Sequence, residues 1–196
     1  METKKVAVIG GGAAGFFAAI SVKENYPKHQ VILFEKTSKV LSKVKVSGGG
    51  RCNVTHNCTD ISDLCDAYPR GGKKLKSLFY QFSTSDTIDW FESRGVPLKT
   101  EKDGRMFPES NNSQSIIDCL IDEINRLKVT LELSQTIENI EQDKIGWNLK
   151  FKDQPSQQFD VIIIATGGSP KLKGFEWMQN LGHNIINPIP SLFTFN

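Results

Sequence analysis

Val6-Ala7-Val8-Ile9-Gly10-Gly11-Gly12-Ala13-Ala14-Gly15 decides the reading of this chain. A short apolar run enters a Gly-x-Gly-x-x-Gly turn, and a helix-forming stretch leaves it. Gly10 makes the tight turn after the strand. Gly12 lets backbone approach a pyrophosphate, and Gly15 lets the helix pack closely on the strand. The helix N-terminus offers N–H groups and partial positive charge to phosphates. The stretch predicts a dinucleotide-binding α/β unit; the plainer alternative is a strand–turn–helix that holds nothing.

The flanking sequence supports the first reading. The helix is expected over Ala13–Asn25, ending before Pro27 because proline disfavours helix in the residue ahead of it. A second apolar strand, residues 31–34, ends in Glu35, which follows Gly15 by 20 residues. An acid at that distance accepts the hydroxyls of a ribose, and it argues against a phosphate on the 2′ oxygen. Lys36 stands beside it.

The 196 residues suffice for one domain, or for one domain and part of another. Hydrophobic residues make up 38% and charged residues 23%, which is globular rather than disordered composition. A net charge of +2 is too small to suggest nucleic acid as a partner. The basic cluster Arg70-Gly71-Gly72-Lys73-Lys74-Leu75-Lys76 reads as a solvated helix start. Cys52, Cys58, Cys65 and Cys119 form no Cys-x-x-Cys pair, and His56 alone does not complete a zinc set. No metal site and reduced thiols are expected. Lys4 and Lys5 ahead of an apolar stretch resemble a signal peptide, but three glycines would break its helix. With no stretch of membrane-spanning length, the expected setting is soluble and cytoplasmic, with no membrane partner.

Beyond Glu35 the chain is polar and basic to Val46, then reads Ser47-Gly48-Gly49-Gly50-Arg51-Cys52-Asn53-Val54-Thr55. Three glycines there permit an anion-binding nest or a flat approach to a ring. Arg51 adds a fixed charge, and Asn53 both donates and accepts. A flexible surface loop is the bland alternative; contact with the cofactor is the reading adopted. Leu75, Leu78, Phe79 and Phe82 recur at helical spacing, and a second helix from near Thr84 carries Ile88, Trp90 and Phe91 and ends at Gly95. These apolar positions are expected in the core. Short strands are expected around Asp103-Gly104, and a helix over 113–128 with Cys119 inside it. A strand over 129–133 is followed by three more, over 136–140, 147–151 and 159–165, which read as a β-meander. The run Val161-Ile162-Ile163-Ile164-Ala165 is expected to be buried on both faces. It leads into Ala165-Thr166-Gly167-Gly168, a small-residue turn at the strand end where ligands bind in open α/β sheets.

The set of Gly10, Gly12, Gly15, Glu35, the 47–55 segment, Gly104-Arg105-Met106-Phe107-Pro108, Ala165-Thr166-Gly167-Gly168, Leu181-Gly182-His183 and Pro190-Ser191-Leu192 resembles the BaiN-like, aminoacetone-oxidase-like flavoproteins of the glutathione-reductase-type FAD superfamily. The resemblance implies FAD, not NAD, at the N-terminal site, with NAD(P)H as a possible electron donor. It places Gly10, Gly12, Ala13, Ala14 and Gly15 at the pyrophosphate, and Glu35 with Lys36 at the adenosine ribose. Lys43, Gly48, Gly49, Gly50, Arg51, Cys52 and Asn53 would lie along the ribityl and flavin side. Backbone near Ile137 would face the adenine, and Ala165, Thr166 and Gly167 would lie against the cofactor. The implied fold is a Rossmann-like FAD-binding domain with a parallel sheet, a β-meander and inserted helices.

The implied division is 1–187 as the N-terminal part of that domain, with a helical and hairpin insert at about 70–128, and 188–196 as the start of a second domain. Relatives are about twice as long, so the chain is expected to be an N-terminal fragment. In many of them Ala-Thr-Gly-Gly precedes a second glycine-rich stretch, where this chain has the short, basic Ser169-Pro170-Lys171-Leu172-Lys173-Gly174. The implied activity is flavin-mediated hydride transfer on a small-molecule substrate, with the catalytic acid or base and oligomeric state left open. Arg51 is a candidate for stabilising negative charge on reduced flavin, against a phosphate or structural contact. Two alternatives stand beside this reading. One is a flavin disulfide reductase using Cys52 and Cys58. The other is a non-catalytic nucleotide-binding fragment with weak FAD binding, no turnover and an associating apolar edge at 192–195.

Overall fold

A computed structural model describes residues 2–169 and 172–189. The segment Pro190-Ser191-Leu192, the expected terminal strand and the apolar edge at 192–195 lie outside these residues. In chain order the first elements are β1 (Lys5–Ile9), α1 (Ala13–Asn25), β2 (Gln30–Phe34), α2 (Ser42–Gly50), β3 (Thr55–His56), α3 (Ile61–Asp66) and α4 (Gly72–Phe79). Next come α5 (Thr84–Glu92), β4 (Leu98–Thr100), β5 (Arg105–Pro108), α6 (Gln114–Arg126) and β6 (Thr130–Glu132). The last are β7 (Ile137–Gln142), β8 (Trp147–Phe151), β9 (Gln157–Phe159), β10 (Val161–Ile164), a 3₁₀ turn Leu172–Phe175 and α7 (Glu176–Asn180). The fold is α/β and divides into two compact units, 1–40 with 124–196, and 41–123.

The first unit holds a parallel sheet of order β10-β1-β2-β6. Side chains alternate across its strands. Ala7, Ile9, Ile32 and Phe34 join Ile140, Leu149, Phe151 and Phe159 of the antiparallel β7-β8-β9 sheet in one buried cluster. The rings of Phe34 and Phe159 meet edge to face at 5.8 Å between centroids. Val6, Val8, Val31 and Leu33 point the other way, and α1 buries Phe16, Ala19 and Ile20 in the same core. Helix α1 spans the residues the glycine turn and Pro27 imply.

Two expectations change here. The run 159–165 is not one strand. It breaks at Asp160, whose carboxylate accepts from the Lys5 N–H (2.6 Å) and whose own N–H donates to the Lys5 carbonyl (2.9 Å). That pair turns the chain out of the meander, which ends at Phe159, and into the parallel sheet. There Val161–Ile164 is an edge strand and half-buried, not buried on both faces. A β-branched run reports an apolar environment, but it does not report whether a neighbour lies on both sides.

The second unit holds the antiparallel sheet β3-β5-β4 and helices α2 to α5. The strands at Asp103-Gly104 form as expected, and β3 is an added partner of β5. Trp90 and Phe91 are buried, as is Cys119 on α6. Leu78 and Phe82, expected in the core, are 55% and 39% exposed. The reason lies at the start of α4, where an added Cβ on Gly72 would run into the Cys65 carbonyl. The helix therefore turns its Gly72, Leu75 and Phe79 face inward, and the Phe79 ring meets Tyr68 at 5.5 Å. Lys73, Lys74 and Lys76 are exposed, which makes the basic cluster a solvated helix start.

Helix α5 opens with a capping box. The Ser83 N–H and hydroxyl donate to Asp86 at 2.6 and 2.8 Å. The backbone bond from Ser83 first, and the hydroxyl second, hold the Asp86 carboxyl below the ordinary carboxylate range. A depressed folded-state value means the stabilisation is complete above the unfolded value, near about 3.9, and fades as pH falls through the folded one. Urea unfolding at successive pH values should show wild type more stable than Asp86→Asn at neutral pH. The gap should close in acid; a gap that does not change with pH contradicts this account of the cap.

Candidate functional site

The site in the first unit grows from the end of β1. The Gly10 N–H donates to the Phe34 carbonyl (2.8 Å), and the Ala165 N–H donates to the Ile9 carbonyl (2.8 Å). The turn is thereby fixed to the strands on both sides of β1. Gly10 has φ +116°, and a Cβ there would lie 2.5 Å from the Ala165 carbonyl oxygen. Only glycine fits that backbone at that distance. A Cβ on Gly15 would run into the Gly10 carbonyl oxygen. Gly12 differs from both: a Cβ there meets nothing within 4 Å. It stands as the N-cap of α1 with no side-chain cap, beside the exposed Ala13 and Ala14. An open, uncapped helix N-terminus is the geometry that receives a phosphate.

Glu35 occupies the end of β2. One carboxylate oxygen accepts from the Gly11 N–H (2.8 Å), and the other accepts from the Thr37 N–H and hydroxyl (2.9 Å each). A carboxylate has about four lone-pair positions, and these bonds use at most three, because the single hydroxyl proton of Thr37 also faces the Lys39 carbonyl (2.8 Å). Glu35 therefore ties the glycine turn to the loop after β2 and retains room for one more donor, such as a hydroxyl.

A cavity of about 410 Å³ opens beside it, a volume within the range of small-molecule sites. Ile9, Gly10, Glu35, Lys36, Ile137, Thr166 and Gly167 line it, so six of the residues singled out from sequence meet at one place. The far wall is the segment from Gln135 to Ile140. Here the β7–β8 register slips between Ile137 and Asn139, and such bulges re-aim backbone groups. Gly168, Ser169, Gly174 and Trp177 complete the lining. Trp177 and Gly174 carry no signal in the sequence because the segment after Gly168 departs from the expected glycine-rich stretch, and Gln135 lies just ahead of the strand expected over 136–140.

Lys43, Gly48, Gly49, Gly50, Arg51, Cys52 and Asn53 belong to the second unit. Lys43 is exposed on a helical turn where the sequence suggested only a polar stretch. The helix breaks at Ser47, and Gly48, Gly49 and Gly50 follow with φ of +56°, +68° and +85°. A Cβ on Gly48 would press on the Asn53 N–H and the Phe107 ring, whereas Gly49 and Gly50 face open space. Arg51 is ion-paired with Glu101, and its guanidinium lies 4.0 Å from the Phe107 ring centroid. Oriented by its partners, the Asn53 amide donates to the carbonyls of Met106 (3.1 Å) and Thr55 (2.9 Å). Both side chains thus have structural contacts within their own unit.

The cysteines have little of the geometry a disulfide reductase requires. Residues 54–57 run extended along β5, with the Val54 N–H bonded to Met106 and the Asn57 N–H to Gly104. Cys52 and Cys58 therefore sit at opposite ends of a strand segment, which spans about 10 Å at the usual rise. Bridged Cα atoms lie within about 7 Å. The Cys52 thiol is buried, and burial pushes its pKa up, partly offset by a hydrogen bond with Ser47. Reactive thiols are shifted the other way. Burial, aided by the nearby Glu123 carboxylate, pushes Cys119 up to about 11. Among the described residues, no group of three His, Cys, Asp or Glu side chains could hold a metal ion, and no helix is long and apolar enough to cross a membrane.

Parallel sheet, glycine turn, acid at the second strand's end and meander together define a Rossmann nucleotide-binding domain. The chain belongs to the family described as HI0933-like protein Rossmann domain, matched over residues 4–189. It is 26% identical over 194 residues to the 3-dehydro-bile acid delta(4,6)-reductase of Clostridium scindens, covering 96% of this chain and 46% of that one. It is 28% identical over 201 residues to the ribosomal RNA dihydrouridine synthase of Escherichia coli, covering 100% of this chain and 48% of that one. The chain thus spans about half the length of these curated relatives. Its fold is like that of the 3-ketosteroid-delta4-(5alpha)-dehydrogenase of Rhodococcus jostii, with a TM-score of 0.65 at 15% identity over 90% of this chain and 49% of that one.

Two outcomes follow. Gly15→Ala should lower stability by about 1–3 kcal/mol in urea unfolding, the usual cost of overpacking, whereas Gly12→Ala should change it by less than about 1 kcal/mol yet abolish nucleotide binding. Equal stability losses in the two variants would refute the division of labour. Counting free thiols before and after anaerobic reduction should give the same number; recovery of two extra thiols would restore the disulfide-reductase reading.

Proposed function

We propose that this chain is the nucleotide-binding part of an FAD-dependent oxidoreductase. One observation carries the reading: a single cavity joins Gly10 at the start of the glycine turn, Glu35, the β7 backbone and the Thr166-Gly167 turn. Gly10, Gly12, Ala13, Ala14 and Gly15 would receive the pyrophosphate, with the open space at Gly12 as the place for it. Glu35 would accept a ribose hydroxyl on its remaining lone pair, beside Lys36. Backbone near Ile137 would face the adenine, and Ala165, Thr166 and Gly167 would close the other side. Lys43, Gly48, Gly49, Gly50, Arg51, Cys52 and Asn53 would serve the ribityl and flavin side, the exposed Gly49 offering backbone for a close approach.

When bound, FAD would supply hydride chemistry, and the protein would bind, orient and tune it. NAD(P)H is the proposed electron donor, a small molecule the proposed substrate, and the cytoplasm the proposed setting. The net charge of +2 supports a small molecule over a polyanion. The relative that acts on ribosomal RNA makes RNA the alternative to test.

The test is to incubate the purified chain with FAD, remove the excess and record the absorbance spectrum, then challenge with ADP and with RNA. Retained flavin displaced by ADP is the expected result. No flavin retained, together with no binding of ADP, contradicts the proposal. Flavin-independent capture of RNA would favour the alternative partner.

A further inference from the structure

Trp177 lies on the cavity wall with no role assigned to it above. It stands on α7, half-buried, and packs against the cluster that contains Phe34, Ile140 and Phe159. Its indole N–H donates to the Gly174 carbonyl at 3.1 Å. That bond fixes the ring and uses the only donor the indole has. The helix end is held in turn: the Gly182 N–H donates to Gln179 and the His183 N–H to Met178, with Gly182 at φ +89°. What Trp177 presents to a ligand is therefore a positioned apolar π surface rather than a hydrogen bond.

The cavity's other groups say which part of a ligand lies there. Glu35 has at least one lone pair left for a ribose hydroxyl and lines the same cavity as Trp177. Ile137 and Trp177 line that cavity with Glu35, so a base attached to that ribose would have these two side chains within the same space. A flat heterocycle there covers apolar area and leaves its edge to the backbone of the bulged β7 segment.

We propose that Trp177 is the aromatic wall on which the adenine of the bound dinucleotide rests. The assignment depends on the nucleotide-binding reading above and adds a residue and a mode of recognition to it. Because the indole N–H is already used, this contact is indifferent to which purine occupies it, and selectivity for adenine falls to the backbone of residues 135–139.

Calorimetric titration of the chain with ADP, for wild type, Trp177→Phe and Trp177→Leu, tests it. Stacking of a base on an aromatic side chain sets the scale, so the Leu variant should bind roughly 5- to 150-fold more weakly and the Phe variant should keep most of the affinity. Emission provides a second readout that needs no disruptive change. ADP should alter tryptophan fluorescence in wild type and leave it nearly unchanged in Trp177→Phe, which retains Trp90 and Trp147. An equal emission change in both proteins overturns the assignment. So does unchanged ADP affinity in a Leu variant that melts as wild type does. Wild type that binds neither ADP nor FAD overturns the nucleotide reading itself, whereas ADP binding insensitive to residue 177 removes only the role of Trp177.

Discussion

The contact between the first turn of α1 and the carbonyl of Gly10 is the constraint from which the rest of the first unit follows. It exists only because Gly15 carries no side chain, just as the missing side chain of Gly10 lets the Ala165 carbonyl approach from the other side. With that approach in place, α1 lies against the sheet and buries Phe16, Ala19 and Ile20. Its N-terminus, capped by no side chain, is left at the C-terminal end of β1. The same end of the sheet carries Glu35 just after β2 and the Thr166-Gly167 turn after β10. A parallel sheet aligns the ends of its strands, so residues far apart in sequence reach one cavity.

Glu35 links fold to function in a way that its position in a motif does not reveal. Its carboxylate is not simply held open for a ligand. It binds the Gly11 N–H and Thr37, and so supports the turn on which the proposed pyrophosphate would sit. Removing the acid would therefore disturb the turn as well as the proposed ribose contact. The second unit shows the opposite balance. Arg51 and Asn53, singled out for cofactor contact, are engaged within their own unit: Arg51 pairs with Glu101 and lies over the Phe107 ring, and Asn53 ties β3 to β5.

Much of the first unit was legible because its signals are local. The glycine spacing, Pro27 and the apolar run before Glu35 specify β1, α1 and β2 almost to the residue. The break at Asp160 was hidden because it depends on a long-range pair with Lys5. The edge position of β10 was hidden because strand order is not written in a strand's own composition. Leu78 and Phe82 misled because helical spacing tells which residues share a stripe but not which way the helix rolls, and Gly72 decides that. In the site, Glu35, Ile137 and the Thr166-Gly167 turn could be anticipated from motif and resemblance. Trp177 could not, since a lone tryptophan after an irregular segment reads as core.

The central claim is that the glycine turn and the 135–140 wall form one nucleotide-holding surface. Amide hydrogen exchange of the chain with and without FAD tests it most directly. The account predicts slowed exchange at residues 11–15 and at 135–140 when FAD is present, including the open N-terminus of α1. Bound FAD that leaves both segments exchanging as they do in its absence would contradict it.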